Sequence, residues 1–236
     1  MKPRSPAPSR LLFVFLALAA LPGIVPAAFA QSAGAGSMEL PPILDRAEEV
    51  ALARSAAPAG VSAEASVLAL VRGLGYVVAE RGTNGVTCLV DRTWPESLEP
   101  HCYDREGAET ILRLRLRFAE LREAGATRAE VDRDREDGIR TGRYRLPSRP
   151  VLTWMMSAGQ VLYDDDGTFV GAWRPHLMIY YPGLTEEDLG LAGASSAHGP
   201  FLSDGGEPTA TLIVPMPEFV PVDTTSGAEP PGEGGA

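Results

Sequence analysis

The longest unbroken apolar run in the chain is "LLFVFLALAAL" at 11–21, eleven residues closed by Pro22 and Gly23. Beyond it, apolar positions recur with short periods that predict elements. At 42–55, "PILDRAEEVALARS" places Ile43, Ala47, Val50 and Ala51 on one helical face before "AAPAG" breaks it. "SVLALV", "GYVVAER" and "VTCLVDR" follow, separated by "RGLG" and "GTNG". Those turn signals predict a three-strand antiparallel meander over about 65–92, with Asn84-Gly85 as a tight hairpin turn. "DRTWPESLEPH" reads as irregular because Pro95 and Pro100 interrupt regular hydrogen bonding.

The stretch 109–125, "ETILRLRLRFAELREAG", fits two periods. Leu112, Leu114, Leu116 and Phe118 alternate with arginines, whereas Ile111, Leu114, Phe118 and Leu121 form a helical seam. The flanks favour the helix: Asp104 can cap its start and Gly125 can end it. "TRAE" at 127–130 has the capping-box form and predicts a polar helix closed by Gly138. Further strands are expected at 151–157, 176–182 and 209–217. A hairpin turning at Asp166-Gly167 is expected between the first two, one or two helical turns at 184–190, and a glycine-rich loop at 191–208. The expected fold is α+β: a mostly antiparallel sheet of about six strands around a central helical block. The expected organisation is a leader at 1–30, a flexible lead at 31–38, a single domain at 39–220 and a disordered tail at 221–236.

Charge sharpens the reading of the first run. Lys2, Arg4 and Arg10 precede it, and "AFA" stands before Gln31, so cleavage is expected between Ala30 and Gln31. Eleven apolar residues fall short of the roughly 20 that span a bilayer, so no stable membrane span is expected after cleavage. No cysteine lies near the cut to mark a lipoprotein, and no twin arginine precedes the run. Three bases and no acids leave with the leader, so the formal charge moves from −10 to about −13. Such acidity argues against nucleic acid or anionic lipid as a partner. Lys2 is the one lysine of the chain. Its loss excludes Schiff-base chemistry, a Walker A loop and a lysine general base. Twelve arginines between 105 and 149 interleave with ten acids, which predicts a mixed-charge solvated face.

Cys88 and Cys102 are the two cysteines. In an oxidising compartment they are expected to pair, closing a loop of about 15 residues worth on the order of 3 kcal/mol. A reactive thiol beside His101, or a metal held by Cys88, His101 and Cys102, are the alternatives, although adjacent ligands chelate poorly. No metal or cofactor is expected. His176, with Arg174 beside it and Asp166 as a possible helper, is the candidate catalytic group. The alternative for His176 is a hydrogen-bonded structural role. "YDDDGTF" at 163–169 lacks the EF-hand spacing and reads as a hairpin tip before a calcium loop. Ser195, Ser196 and His198 lack a Gly-x-Ser-x-Gly elbow and read as loop. Trp154, Met155 and Met156 could line a pocket, with core packing as the plainer reading.

The blocks "GTNGVTCLVDR", "HCYDREGAETIL", "RYRLPSRPVLTWMMSAGQ" and "WRPHLMIYYPGLT" resemble a group of exported bacterial proteins with no activity to transfer. The resemblance spans about 55–220 and implies one domain behind an export signal. The resulting expectation is a periplasmic or secreted, disulfide-stapled domain with a binding or envelope-accessory role and an unknown partner. A hydrolase-like enzyme built around His176 is the second reading, and a calcium-stabilised structural protein the third. An enzyme requires His176 at a pocket floor beside a carboxylate. A binding module requires an exposed apolar patch around Trp154, Trp173 or Tyr180.

Overall fold

The computed structural model describes residues 36–164, 167–191 and 199–223. The leader with Ala30 and Gln31, the lead as far as 35, Asp166, the Ser195–His198 motif and the tail from 224 lie outside the described residues. Elements run in chain order as α1 (Arg46–Arg54), α2 (Ala59–Ser62), β1 (Ser66–Val71), β2 (Gly75–Glu80), β3 (Thr87–Asp91) and β4 (Glu99–Tyr103). Then come α3 (Arg105–Glu109), α4 (Ile111–Glu123), α5 (Arg128–Arg140), β5 (Val151–Met155), β6 (Leu162–Tyr163) and β7 (Phe169–Gly171). The chain closes with β8 (His176–Tyr180), α6 (Glu186–Leu189), β9 (Phe201–Ser203) and β10 (Thr211–Pro215). The fold is α+β, as expected. The main sheet has eight strands rather than about six, in the order β2-β1-β3-β4-β5-β8-β10-β9, and β6 and β7 form a separate ribbon. Every neighbouring pair is antiparallel except β1 and β3. No described helix is long and apolar enough to cross a membrane.

The parallel pair corrects the expected meander. β3 does not fold back on β2; the chain steps over the start of β1 and lays β3 on the far side of it. Asn84 and Gly85 therefore serve a crossover rather than a hairpin turn. Gly82 makes the step possible: a Cβ there would lie 2.2 Å from the Ser66 nitrogen and 2.3 Å from the Glu64 carbonyl oxygen. Pro100 is a second correction, because it sits inside β4 opposite Val90 instead of in a loop. The β4–β5 ladder reaches only Cys102 and Tyr103, so the missing N–H of Pro100 costs no β5 hydrogen bond.

The helical block forms where expected but in two pieces before α5: Asp104 caps the short α3, and α4 starts afresh at Thr110, which offers no side-chain cap. The Asp104 side chain accepts from the Gly107 nitrogen at 2.7 Å to start α3, and α4 ends at Gly125 with φ +82°. Thr127 and Glu130 cap each other reciprocally at the start of α5. Gly138 does not stop that helix. It lies inside the last turn and leaves room for the Tyr144 ring, which an added Cβ would approach to 2.1 Å.

Alternation along the strands sends side chains to two cores. Val67, Cys88, Val90 and Cys102 pack with Leu52 and Ala53 of α1 on one face. Leu68, Leu89, Tyr103, Val151, Met155, Met178 and Tyr180 pack with Ile111 and Leu112 of α4 on the other. Val222 packs against the α1 core, so the chain stays on the domain past residue 220.

Candidate functional site

Cys88 and Cys102 are joined by a disulfide. They face each other directly across β3 and β4, with Cα atoms 4.0 Å apart, and both are fully buried under α1. Neither sulfur is a free thiol, and His101, one residue earlier on β4, points to the opposite face. The His101 Nδ1–H donates to the Glu99 carbonyl at 2.8 Å, and the His176 Nδ1–H donates to the Arg174 carbonyl at 2.7 Å. Both rings are 3 % exposed, and burial pushes both down to about 4. His176 lies against the Trp173 ring at 4.7 Å, and among the described residues no carboxylate bonds it. Among the described residues no three His, Cys, Asp or Glu side chains converge to hold a metal ion.

Two buried neutral histidines make stability depend on pH. Unfolded histidine titrates near 6.5, so the unfolded chain takes up protons first as pH falls. Stability is therefore complete above about pH 6.5 and is lost progressively as pH drops toward 4. Glu99 works the other way below its own raised value: burial, then the Asp91 charge, lift its carboxyl, so the folded form binds a proton earlier. Urea midpoints at pH 7 and pH 5 are expected to show the histidine loss. His101→Asn/His176→Asn keeps an N–H near Nδ1 and is expected to flatten the slope. Equal midpoints at the two pH values, or an unchanged slope in the double variant, would contradict this assignment.

The deepest feature that sequence reasoning missed is a buried charge network. β1 and β3 pair only at Ser66↔Thr87 and Val67↔Cys88 and then part. Glu49 of α1 fills the opening: its Oε1 accepts from the Leu70 nitrogen at 3.3 Å, replacing a lost ladder bond. Arg92 clasps the same carboxylate with Nη1 at 3.0 Å and Nη2 at 2.7 Å, and its Nη1 also donates to the Val90 carbonyl. The Tyr76 hydroxyl donates to that carbonyl too, and Arg122 reaches from α4 to the Arg92 carbonyl at 2.8 Å. Burial alone would weaken the charge on Arg92; the hydrogen bond and charge of Glu49 more than offset it and raise its value. The Tyr76 hydroxyl is pushed up by burial and then by Asp91.

On the α4 face a cleft of about 250 Å³ opens between α4, α5 and the β8–β10 floor, where Met178, Tyr180, Thr211 and Ile213 lie. Its charges already meet one another. Arg115 pairs with Asp91 at 3.4 Å, while Arg117 and Arg143 share Asp134 at 3.6 and 2.8 Å. Arg128 pairs with Asp132 at 3.7 Å, and Arg135 and Asp204 also line the cleft, which joins helices to the sheet.

The opposite face of the same strands is different. Leu152, Ile179, Leu212 and Leu202 stand in one row across β5, β8, β10 and β9, and Trp154, Leu177 and Val214 in the next. All seven are half-buried. α1 covers the neighbouring β1, β3 and β4, and Trp154 alone of the seven packs against that core. Tyr181, next in the alternation beyond Ile179, is 41 % exposed. The rows contain no charged side chain. Comparison with family models, with curated proteins and with solved structures gave no match to this chain.

Proposed function

We propose that the protein is an exported, disulfide-stapled binding domain with an envelope-accessory role, and that it binds through the uncharged face of β5, β8, β10 and β9. The observation that carries this reading is that face: seven apolar side chains in two rows, half-buried on a sheet whose other half is roofed by α1. Contiguous apolar surface over which no described helix lies is of the kind that marks interaction sites in soluble domains. Trp154 ends its second row, half-buried against the α1 core, and Tyr180 is buried on the α4 side, so the exposed aromatic beside these rows is Tyr181. Export is supported by the basic-then-apolar start of the chain and by the paired cysteines.

Two measurements test the reading. N-terminal sequencing of material from the periplasm or medium is expected to begin at Gln31; a cytoplasmic chain with its leader intact would remove the export half. The neutral fluorophore N-phenyl-1-naphthylamine is expected to brighten on the folded protein and to lose about tenfold in affinity in Leu177→Gln/Leu212→Gln, as removal of a central apolar contact implies. A fluorophore that ignores the wild type, or binds the variant equally, would remove the binding half.

A further inference from the structure

Residues 175–236 contain nine Asp and Glu and no Lys or Arg, so Arg174 is the last base of the chain. This stretch supplies β8, β9 and β10 and the loops at both of their ends. Of the described carboxylates, those of α6 and Glu218 stand beyond the strand ends of the apolar rows, where the exposed Arg149 and Arg174 precede β5 and β8. Glu186, Glu187 and Asp188 form the exposed turn of α6 after β8, and Glu218 is exposed beyond the other end of β10. Asp188 closes a capping box with Thr185. Asp204 and Glu207 belong to the other side of the sheet, where they face Arg135 and Arg140 of α5 across a shallow hollow.

The dimensions narrow the occupant. Four strands about 4.8 Å apart, three of them five residues long at about 3.3 Å each and β9 three, present at most roughly 19 by 17 Å. An α-helix of about eleven residues is roughly 16 Å long and 10 Å wide. α1, with nine residues, already covers the neighbouring half of this face. One more helix of that size completes the layer. A second copy of this chain would bring carboxylates against carboxylates, and an anionic lipid surface would do the same. A helix with an apolar side for the two rows and a cationic side for the rim meets both features.

We propose that this face docks an amphipathic helix of a partner protein whose polar side is basic, laid on β8 and β10 beside α1. This rests on the face being the binding surface, and the test separates the two claims. The probe is a fluorescein-labelled, 14-residue Leu/Lys amphipathic peptide, titrated into the oxidised protein from Gln31 onward. Binding is expected to be at least about tenfold tighter than that of a Leu/Glu analogue and to weaken as salt rises from about 50 to 500 mM. Glu186→Gln/Glu187→Gln/Glu218→Gln, a surface change that leaves the core alone, is expected to weaken it several-fold. Leu177→Gln/Leu212→Gln is expected to abolish it, with circular dichroism checking that this variant folds.

Equal binding of the Leu/Glu analogue, or no effect of the triple Gln variant, overturns the proposal. So does sedimentation equilibrium showing copies that pair through this face, or anionic vesicles binding as well as the peptide. If the neutral naphthylamine binds and the Leu/Lys peptide does not, the partner chemistry is wrong while the binding face stands. If neither binds, both fall.

Discussion

Glu49→Ala is expected to destabilise the protein by about 3–5 kcal/mol, the cost of leaving a buried charge without its partner. Arg92 is fully buried and its side chain has no route to solvent, so its guanidinium cannot be rehydrated in place. The Leu70 N–H loses its acceptor in the same change. Glu49→Gln keeps the shape and one acceptor oxygen and is expected to cost less than the alanine variant. Glu49→Leu/Arg92→Met removes both charges and is expected to recover much of the loss, because desolvation of the pair goes with it. Urea unfolding of the four proteins at pH 7 checks the order. An alanine variant within about 1 kcal/mol of wild type would mean that water reaches the opening between β1 and β3.

Loss of the Cys88–Cys102 bridge is the second large effect. The sequence separation is 14, and in the chain-entropy model a loop of about 15 residues contributes roughly 3 kcal/mol by restricting the unfolded chain. For a domain of this size that corresponds to a fall of about 6–12 °C in Tm. Cys88→Ala/Cys102→Ala is the right variant, because serine would place two hydroxyls in a site with no exposure. The residues still face each other across an intact ladder and under Leu52 and Ala53, so the double variant is expected to fold and then melt early. An unchanged melting temperature, or two alkylatable thiols in the protein isolated from its native source, would show that the staple is absent where the protein works.

Several of these features are local enough to be read from residues. The cap of α3 at Asp104, the box of α5 at Thr127 and Glu130 and the terminus of α4 at Gly125 are set by neighbours a few positions away, and for the helix at 111–123 itself only the Gly125 end was legible in this way. The cysteine pair was legible because the chain has two cysteines. The β1–β3 pairing was not legible, because "GTNG" carries the same turn signal whether the chain folds back or steps over. Gly82 distinguishes the two only once Glu64 and Ser66 are known to lie beneath it. Glu49 and Arg92 likewise look like solvated charges. Nothing within a few residues of either reports that they meet 43 positions apart.

The candidate surface divides in the same way. Along β8, Leu177 and Ile179 alternate with His176, Met178 and Tyr180, so both faces of the strand are written as nearly apolar. Period-two alternation assigns each side chain to a face but cannot say which face receives a roof. That depended on where α1 and α4 settle, through contacts far apart in sequence. The chain alone determined the α+β class, the α5 capping box, the Gly125 terminus, the sulfur pair and the acidity, because each depends on neighbours or on composition. Only the tertiary structure decided the crossover, the buried ion pair and the half-sheet that no described helix roofs, because long-range packing sets which groups lose water and which keep it.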